Sequence, residues 1–226
     1  MAVPARRWRL LGLVILAACL TAGCDLPSLV YFLATGFQEP QEDAGDLKLA
    51  VKGKEVKVAV LTYCPLERGP EFIDLDRDLS GMFVRHLQQA CKANKDKVTL
   101  ISHAKVQAYK NQHPNWFLKV EEAGRQLDVD KLIYLEVQSL SLYEQGSANQ
   151  LYRGRASISV KVFDLNKPDD YQLEKTYACE YPTAKGPISV DEKKPREFYL
   201  EFLGYVVRHL SWYFTAHPVS DDITCD

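Results

Sequence analysis

The sequence predicts an α/β protein built on one mixed sheet. Strand-like and helix-like segments alternate through the first half, three strand-like segments follow one another in the second half, and a helical stripe comes last. A strand, a crossover helix and a further strand form a parallel pair, whereas consecutive strands joined by short turns pair antiparallel. The order strand, helix, strand, helix, three-stranded antiparallel meander and C-terminal helix therefore predicts helices packed on a mixed sheet.

Two strands and two helices are predicted in the first half. Residues 55–61 (EVKVAVL) alternate valines with other residues, as a half-buried strand does. Leu79, Phe83 and Leu87 recur at four-residue spacing and predict a helix with one apolar face. A short strand is expected over residues 98–101. A second helical stripe follows and consists of Trp116, Val120, Ala123 and Leu127.

The meander is predicted in the second half of the chain. Its strands are expected over residues 131–143, 151–165 and 171–181, with turn-forming residues between them. In the middle strand apolar and polar residues alternate strictly, which is typical of a strand with one buried face. We therefore expect Val160 in the core and Ser159 on the opposite, solvent-facing side.

The last predicted element is a helix over residues 196–215, where apolar side chains recur at helical spacing. A single α/β domain is thus expected over residues 54–217, followed by a polar tail over residues 218–226. The composition of the chain is 46% hydrophobic and 26% charged, which is ordinary for a globular protein. The expected domain is long enough to bury one sizeable core.

The first 24 residues resemble the leader of a bacterial lipoprotein. Three arginines and no acid precede an apolar run over residues 10–20, which is too short to span a bilayer. Residues 20–24 (LTAGC) then resemble a lipobox, in which small residues precede a cysteine that accepts diacylglycerol. We therefore predict a signal peptide over residues 1–23 and a lipid on Cys24.

The alternative for this region is an uncleaved anchor that continues through residues 26–37 (LPSLVYFLATGF). Asp25 and Pro27 would then lie inside the membrane span, where an aspartate costs about 2.5–3.5 kcal/mol on the insertion scale. The lipoprotein prediction is therefore favoured. It makes residues 24–53 a lipidated N-terminus with a membrane-proximal linker, and it places the domain in the periplasm, at the inner or the outer membrane.

The charge of the chain argues against nucleic acid as a partner. The formal net charge is −2, and loss of the three leader arginines lowers it to about −5. Nucleic-acid recognition requires a basic patch that this balance does not indicate. The expected partners are the membrane, through the lipid on Cys24, and proteins of the cell envelope. A homo-oligomer formed by pairing of sheet edges is left open.

Six cysteines fall to four in the mature chain, because Cys19 leaves with the leader and Cys24 is acylated. No C-x-x-C spacing remains, so neither a zinc knuckle nor a thioredoxin-like motif is present. Outside the cytoplasm neighbouring thiols tend to oxidise, although buried thiols are the alternative. The element order places two cysteines at each end of the sheet, measured along the strands. It does not fix their lateral positions across the sheet. It favours the pairs Cys64–Cys179 and Cys91–Cys225.

No catalytic, cofactor-binding or metal-binding motif is recognised. Residues 74–78 (DLDRD) begin like a calcium loop, but Leu79 stands where glycine is needed and Arg85 where the bidentate glutamate is needed. A solvated helix start is favoured instead. The five histidines form no H-E-x-x-H pair, and there is no G-x-S-x-G motif, P-loop or G-x-G-x-x-G motif. We therefore expect a non-enzymatic protein without a cofactor.

Three segments carry a resemblance to a known family: residues 56–61, residues 127–137 (LDVDKLIYLEV) and residues 153–165 (RGRASISVKVFDL). They resemble the α/β domain shared by the curli-secretion lipoprotein, the lipoprotein activators of penicillin-binding proteins and the N-terminal domain of the TolB protein. The resemblance covers about residues 54–214 and implies the same fold. Members of the family are largely non-enzymatic, so it implies no catalytic residues. The family positions that match this chain are Gly154, Val160, Val162, Phe163 and Asp164.

These observations lead to one principal hypothesis: a lipid-anchored, non-catalytic accessory or scaffold subunit of a bacterial cell-envelope assembly for secretion, envelope assembly or wall synthesis. A curli-type pore would need extra amphipathic strands, and this chain has none to spare. The short linker also disfavours a long reach into the cell wall. The alternative is a periplasmic small-molecule-binding or hydrolytic lipoprotein, which would need a deep pocket with convergent polar groups.

Overall fold

The central feature of the fold is a six-stranded mixed sheet. The computed structural model describes residues 41–45, 47–64, 70–167, 172–183 and 185–218. The strands of these ranges are β1 (Gln41–Glu42), β2 (Val56–Tyr63), β3 (Val98–Leu100), β4 (Lys131–Tyr143), β5 (Leu151–Asp164), β6 (Gln172–Tyr181), β7 (Ile188–Ser189) and β8 (His217–Pro218). The sheet has the order β3-β2-β4-β5-β6, and β7 pairs with β5. β1 and β8 form a separate antiparallel pair.

Parallel and antiparallel pairing divide the sheet into two parts. β2 pairs in parallel with β3 on one side and with β4 on the other. β4 pairs antiparallel with β5, and β5 with β6. The fold class predicted from the sequence, an α/β mixed sheet with a three-stranded meander and a C-terminal helix, is confirmed.

Helices cover the sheet on both faces. Those of the described ranges are α1 (Leu75–Ala93), α2 (His103–Gln112), α3 (Val120–Gln126) and α4 (Pro195–Ser211), with short 3₁₀ turns at Pro70–Phe72 and Trp116–Leu118. The apolar faces of α1 and α4 pack against one side of the sheet. α2, α3 and the second 3₁₀ turn pack against the other side. None of these helices combines the length and the apolar character needed to cross a membrane.

β4 is buried on both faces because each helix layer covers it. Ile133 and Leu135 belong to the core beneath α1 and α4, whereas Leu132 and Tyr134 belong to the core beneath α2 and α3. A continuous apolar run is the sequence pattern that such a strand requires. The second core reaches β5 only at Phe163, near its end. Farther along β5 the same face of the sheet becomes polar.

Arginine and glutamate side chains occupy the polar part of that face. Arg153 and Arg155 on β5 both bind Glu144, which follows β4, and Glu180 on β6. Four pairs of oppositely charged atoms therefore lie 2.8–3.0 Å apart across neighbouring strands. The network joins the meander strands on the part of this face that α2 and α3 do not cover.

Two helical segments differ from their predictions. The sequence analysis does not predict α2, because only Val106 of this helix is buried and its apolar periodicity is weak. The helix begins where the side chain of Ser102 accepts a hydrogen bond from the N–H of Lys105 at 3.4 Å. The stripe predicted over residues 116–127 is divided instead into a 3₁₀ turn and α3. Lys119, with φ −138° and ψ 60°, separates them.

The expected linker over residues 24–53 requires a correction at its C-terminal end. Leu47 and Leu49 are fully buried in the core beneath α1 and α4. The N–H of Leu49 donates to the carbonyl of Phe214 at 3.2 Å, and Lys131 Nζ donates to the Leu49 carbonyl at 3.3 Å. The two-residue spacing of these leucines is a short strand-like pattern, so the packed domain begins before residue 54.

Ser159 also departs from its expected environment. It lies on the face opposite Val160, as predicted, but it is only 1% exposed. β5 is an interior strand, so residues of both neighbouring strands flank Ser159, and its hydroxyl donates to Glu174 Oε1 at 3.0 Å. An aspartate at this position would be placed beside Glu174. Ser159 is therefore not a position where a charge would be tolerated.

The face assignment of β5 is testable at Val160. Val160→Asp places a carboxylate in a fully buried site, where an unpaired polar group costs several kcal/mol against a total stability of about 5–15 kcal/mol. The variant is expected to lose its cooperative thermal unfolding transition. Ala178→Asp, on the exposed side of β6, should keep the melting temperature of the parent protein. Equal melting temperatures for the two variants would contradict the assignment of Val160 to the buried face of β5.

Candidate functional site

The residues predicted to carry modifications lie in different parts of the fold. Cys24 and Cys225 fall outside the described residues, so lipidation of Cys24 remains a prediction. Cys64 directly follows β2, Cys91 lies near the end of α1, and Cys179 is on β6. The structure does not bring these three cysteines into one site.

The strand order disfavours the Cys64–Cys179 pair. β4 and β5 lie between the strands that carry the two cysteines. Three inter-strand steps of about 4.8 Å separate them by about 14 Å, whereas a disulfide requires Cα atoms within about 7 Å. Cys179 is a thiol in the structure. The element order predicts the height of each cysteine along the sheet but not its lateral position. The Cys91–Cys225 pair remains a prediction.

Burial makes the thiols of Cys91 and Cys179 poor nucleophiles. Desolvation, with the nearby charge of Asp96 adding to it, raises the pKa of Cys91 to about 11. Desolvation likewise raises the pKa of Cys179. The thiolate is the reactive form of cysteine, so both groups stay protonated and unreactive at neutral pH.

A cleft of about 410 Å³ opens at the carboxyl end of β2. From β2 the chain passes through α1 to β3, and from β3 it passes through α2 and α3 back to β4 on the other side of β2. The two connections cover opposite faces, so they diverge where β2 ends. Open α/β sheets bind ligands at such a switch point, beyond the carboxyl ends of the strands. We call this cavity the strand-end cleft.

Aromatic rings form one wall of the strand-end cleft. The ring of Tyr63 stacks on Phe117 with centroids 4.8 Å apart, and Trp116 meets both rings edge-on at 6.2 Å. Trp116 also packs edge-on against Tyr134 in the core beneath α2 and α3. Phe72 lines the opposite part of the cleft. Because Trp116 is anchored in the core, this wall is held in place before any ligand arrives.

An ion pair crosses the base of the cleft. Lys110 on α2, whose side chain is 9% exposed, binds Asp76 Oδ2 in the first turn of α1. Its Nζ also donates to the carbonyl of Thr62 at 2.8 Å and lies 4.9 Å from the centroid of the Trp116 ring. The cation is therefore neutralised by a carboxylate, a carbonyl and an aromatic face, and it ties α1, α2 and β2 together.

Two buried oxygens in the cleft have no hydrogen-bond partner among the described residues. Thr62 Oγ1 and Asp76 Oδ1 make no hydrogen bond with any described residue. Buried polar atoms normally have a partner, and leaving one without a partner costs about 1–3 kcal/mol. A ligand that brings an N–H or O–H group would satisfy these oxygens. The cleft therefore suits a group with an apolar body and a hydrogen-bond donor.

Two large apolar side chains are exposed near the cleft. Ile73, which lines it, is 83% exposed, and Leu118, which follows Phe117 in the same 3₁₀ turn, is 73% exposed. Single exposed apolar residues are common, but a group beside an aromatic cavity is typical of a contact surface. The cleft and these two residues form one apolar surface at this end of the sheet.

The chemistry of the cleft favours binding over catalysis. Thr62 Oγ1 makes no hydrogen bond with the described residues, whereas a hydroxyl nucleophile is activated by a base that it contacts. In the ranges that the structure covers, no three His, Cys, Asp or Glu side chains are grouped so that they could hold a metal ion.

The sequence does not predict these site residues. Trp116 falls in a predicted helical stripe, and residues 74–78 are predicted to be a solvated helix start. Thr62, Asp76 and Lys110 come from three separate elements, and each is an ordinary polar residue where it stands in the sequence. A polar residue inside the apolar strand β2 is the only local signal, and Thr62 provides it.

Comparison with known proteins gives similarity to solved structures alone: no family model and no curated protein matches the chain. The hypothetical protein CT253 from Chlamydia trachomatis is 18% identical with a TM-score of 0.45, over 71% of this chain and 98% of that one. The PelC dodecamer from Paraburkholderia phytofirmans is 10% identical with a TM-score of 0.40, over 79% and 98%. Lipoprotein GNA1162 from Neisseria meningitidis is 13% identical with a TM-score of 0.39, over 69% and 94%. Similarities at this level assign no function or assembly to the chain.

The role of the ion pair is testable at Lys110. Lys110→Met keeps the apolar stem of the side chain but removes the hydrogen-bond donor of Asp76 and of the Thr62 carbonyl. This loss is expected to lower the free energy of unfolding by about 1–3 kcal/mol. Urea denaturation measures this change. Lys105→Met, at an exposed position of the same helix, should change it by less than about 0.5 kcal/mol.

A double variant separates the ion pair from packing. Asp76→Leu removes the other half of the pair, so the combined Lys110→Met/Asp76→Leu variant should lose less stability than the sum of the two single variants. Strictly additive losses would show that the two side chains do not stabilise each other.

Proposed function

We propose that this protein is a lipid-anchored, non-catalytic accessory subunit of a bacterial cell-envelope assembly and that it binds a protein partner through the strand-end cleft. The observation that carries the proposal is the preformed aromatic cavity next to the exposed side chains of Ile73 and Leu118. The lipid anchor is supported by the lipobox-like residues 20–24 and the apolar run before them.

The position at which the chain joins the domain supports this arrangement. Lys131, the first residue of β4, donates from Nζ to the carbonyls of Lys48 and Leu49. The N-terminal part of the described chain therefore lies at the amino ends of the parallel strands. The eight residues of β2 extend about 26 Å to the cleft at about 3.3 Å each. If Cys24 carries the lipid, the anchored segment enters the domain at the end of the sheet opposite the strand-end cleft.

The cleft also defines the chemistry of the partner. Its volume of about 410 Å³ lies within the range of about 300–1,000 Å³ that is usual for ligand sites, so it admits a few side chains rather than a folded domain. The partner segment would insert an aromatic or aliphatic side chain against Tyr63 and Trp116. It would also donate a hydrogen bond to Thr62 Oγ1 or Asp76 Oδ1, while Ile73 and Leu118 cover the apolar residues around the insertion.

A second candidate function is the binding of a small molecule in the same cleft. Two buried oxygens, Thr62 Oγ1 and Asp76 Oδ1, have no hydrogen-bond partner in the described structure and favour this function. Convergent polar atoms in an apolar cavity fix the orientation of small ligands. A hydrolytic role would need a base near Thr62. The exposed positions of Ile73 and Leu118 distinguish the two candidates, since a small molecule in the cavity leaves them in water.

The lipid anchor is testable at its acceptor residue. Cys24→Ala is expected to abolish incorporation of a radiolabelled fatty acid, because the thiol of Cys24 is the proposed attachment point. The precursor should also stay uncleaved, which its larger mass on a denaturing gel reports. Cys64→Ala serves as the control and should be labelled and processed like the parent protein. Label retained in Cys24→Ala would exclude this residue as the lipidation site.

The contact surface is testable by exchange of one exposed leucine. Leu118→Asp introduces a charge beside the strand-end cleft, whereas Val51→Asp introduces the same charge at another exposed apolar residue, just before β2 and at the opposite end of the strand. In co-purification from gently solubilised membranes, Leu118→Asp is expected to recover at least about tenfold less partner, a loss of about 1.4 kcal/mol. Val51→Asp should recover as much as the parent.

Both variants are expected to melt at the temperature of the parent protein, because both positions are exposed. Equal partner recovery by the two variants would contradict a protein interface at the cleft. If the recovered partner is the chain itself, the mass measured by light scattering identifies a homo-oligomer instead of an envelope complex.

A further inference from the structure

A second concave surface lies between α1 and α4, on the face of the sheet that these two helices cover. The helices run in the same direction: Arg196 binds Asp78 at 2.8 Å near their starts, and Asn94 Nδ2 donates to Thr215 Oγ1 at 2.8 Å near their ends. The groove between them has a volume of about 640 Å³. Each helix lines it with residues at positions i, i+3, i+4 and i+7, which form one stripe of a helix surface. We call this surface the helix groove.

The helix groove carries an excess of positive charge. Arg85 of α1 and Arg208 of α4 both line it, and neither guanidinium has an ion-pair partner among the residues that the structure describes. Glu201 also lines the groove, but its carboxylate binds Lys193 Nζ. Two cations thus remain uncompensated in a chain whose formal net charge is −2. Two guanidinium groups from neighbouring helices in one groove are an arrangement that anions bind.

A glycine in the middle of α4 opens the groove between these arginines. Gly204 lines the groove, yet glycine in a helix interior is less stable than alanine. Packing does not require it, because a Cβ at this position would meet Met82 Cε at 3.9 Å, an ordinary contact. Its absent side chain therefore leaves space in the groove instead of relieving a clash.

We propose that the helix groove binds a phosphate group, held by the guanidinium groups of Arg85 and Arg208 with Gln89 as a neutral donor. Arginine matches the paired oxygens of phosphate with two parallel N–H donors. The negative balance of the chain disfavours a long polyanion, which needs an extended basic surface. The ligand is therefore a small phosphate-bearing molecule or the headgroup of a phospholipid.

The position of the groove supports a headgroup as the source of the phosphate. Arg208 lies in the last turn of α4, and the carbonyl of Trp212, four residues later, accepts a hydrogen bond from the N–H of Gly45 at 3.3 Å. This end of the groove is therefore close to the point where the N-terminal segment joins the domain. If Cys24 carries a lipid, the anchored segment enters the domain at this end of the groove.

The test is calorimetric titration of the purified full-length mature chain in a nonionic detergent. The two ligands are inorganic phosphate and short-chain phosphatidylglycerol. Arg85→Gln and Arg208→Gln are each expected to weaken binding at least tenfold. Arg125→Gln removes the same charge from an exposed position of α3, on the other face of the sheet, and should bind like the parent. Failure of both ligands to bind, or equal binding by all three arginine variants, would overturn the proposal.

The two ligands also distinguish the source of the phosphate. A headgroup site should bind phosphatidylglycerol at least tenfold more tightly than inorganic phosphate, whereas a site for a free phosphate compound should not prefer the lipid. Short-chain phosphatidylcholine, which is zwitterionic, reports whether binding needs only the acyl chains. Tight binding of phosphatidylcholine that survives in Arg85→Gln would assign the signal to the chains and refute the phosphate site.

A change at Gly204 tests the groove without altering its charge. Gly204→Leu fills the space between the arginines and is expected to weaken phosphate binding, while the helical circular dichroism signal stays unchanged. Gly204→Ala adds one methyl group, so it should raise the melting temperature and bind like the parent. Undiminished binding by Gly204→Leu would show that the anion lies outside the groove.

Discussion

The position of β4 between β2 and β5 is the constraint on which the other features depend. Asp130, just before β4, fixes it from both sides. Its carboxylate accepts from the N–H of Lys57 on β2 and from the side chain of Asn166 beyond β5, both at 2.8 Å. Its backbone N–H donates to Lys57 and its carbonyl accepts from Leu165, both at 2.9 Å. Asp130 therefore helps to set the register of the parallel pair β2–β4 and of the antiparallel pair β4–β5. The strand-end cleft lies at the carboxyl end of β2, so it depends on this register.

The same hydrogen bonds make this junction sensitive to acid. They hold the pKa of Asp130 below its usual range, the Asn166 side chain contributing most and the Lys57 amide next. A carboxyl group with a depressed folded-state pKa stabilises the fold above its unfolded pKa, and this stability is lost as the pH falls through the folded value. At neutral pH the charged form is the one that joins the strands, so the register is secure under the conditions in which the cleft would act.

The sequence predicted the elements whose pattern is local and missed those that arise from long-range contacts. The apolar run of β4 and the alternation in β5 can be recognised in the sequence. β4 is buried on both faces, and alternate residues of β5 face the core. α2 has almost no apolar face, so only its cap at Ser102 marks it. Leu47 and Leu49 are predicted to belong to a linker. The residues that hydrogen-bond to Leu49, Phe214 and Lys131, lie far away in the sequence, so no local pattern marks this contact. The strand-end cleft was not predictable either, since three separate elements supply its polar atoms.

α1 contributes residues to both concave surfaces. Asp76, in its first turn, forms the ion pair of the strand-end cleft, and Arg85 lies in the helix groove. Nine residues of helix separate them by about 14 Å. The hydrogen bonds of Arg196 and Asn94 tie both ends of the helix to the C-terminal part of the chain. The two surfaces are therefore connected by one rigid element.

The pairing of β1 with β8 has a consequence for the order of the chain. Gln41 lies opposite Pro218 and Glu42 opposite His217, so the first and last described segments of the domain are neighbours. Adjacent ends are the condition under which a fold tolerates circular permutation or insertion into a loop of another protein. New termini could be opened in the turn between β4 and β5, with Gln41 and Pro218 joined by a short peptide. The residues that line both concave surfaces would then stay in the same strands, helices and turns.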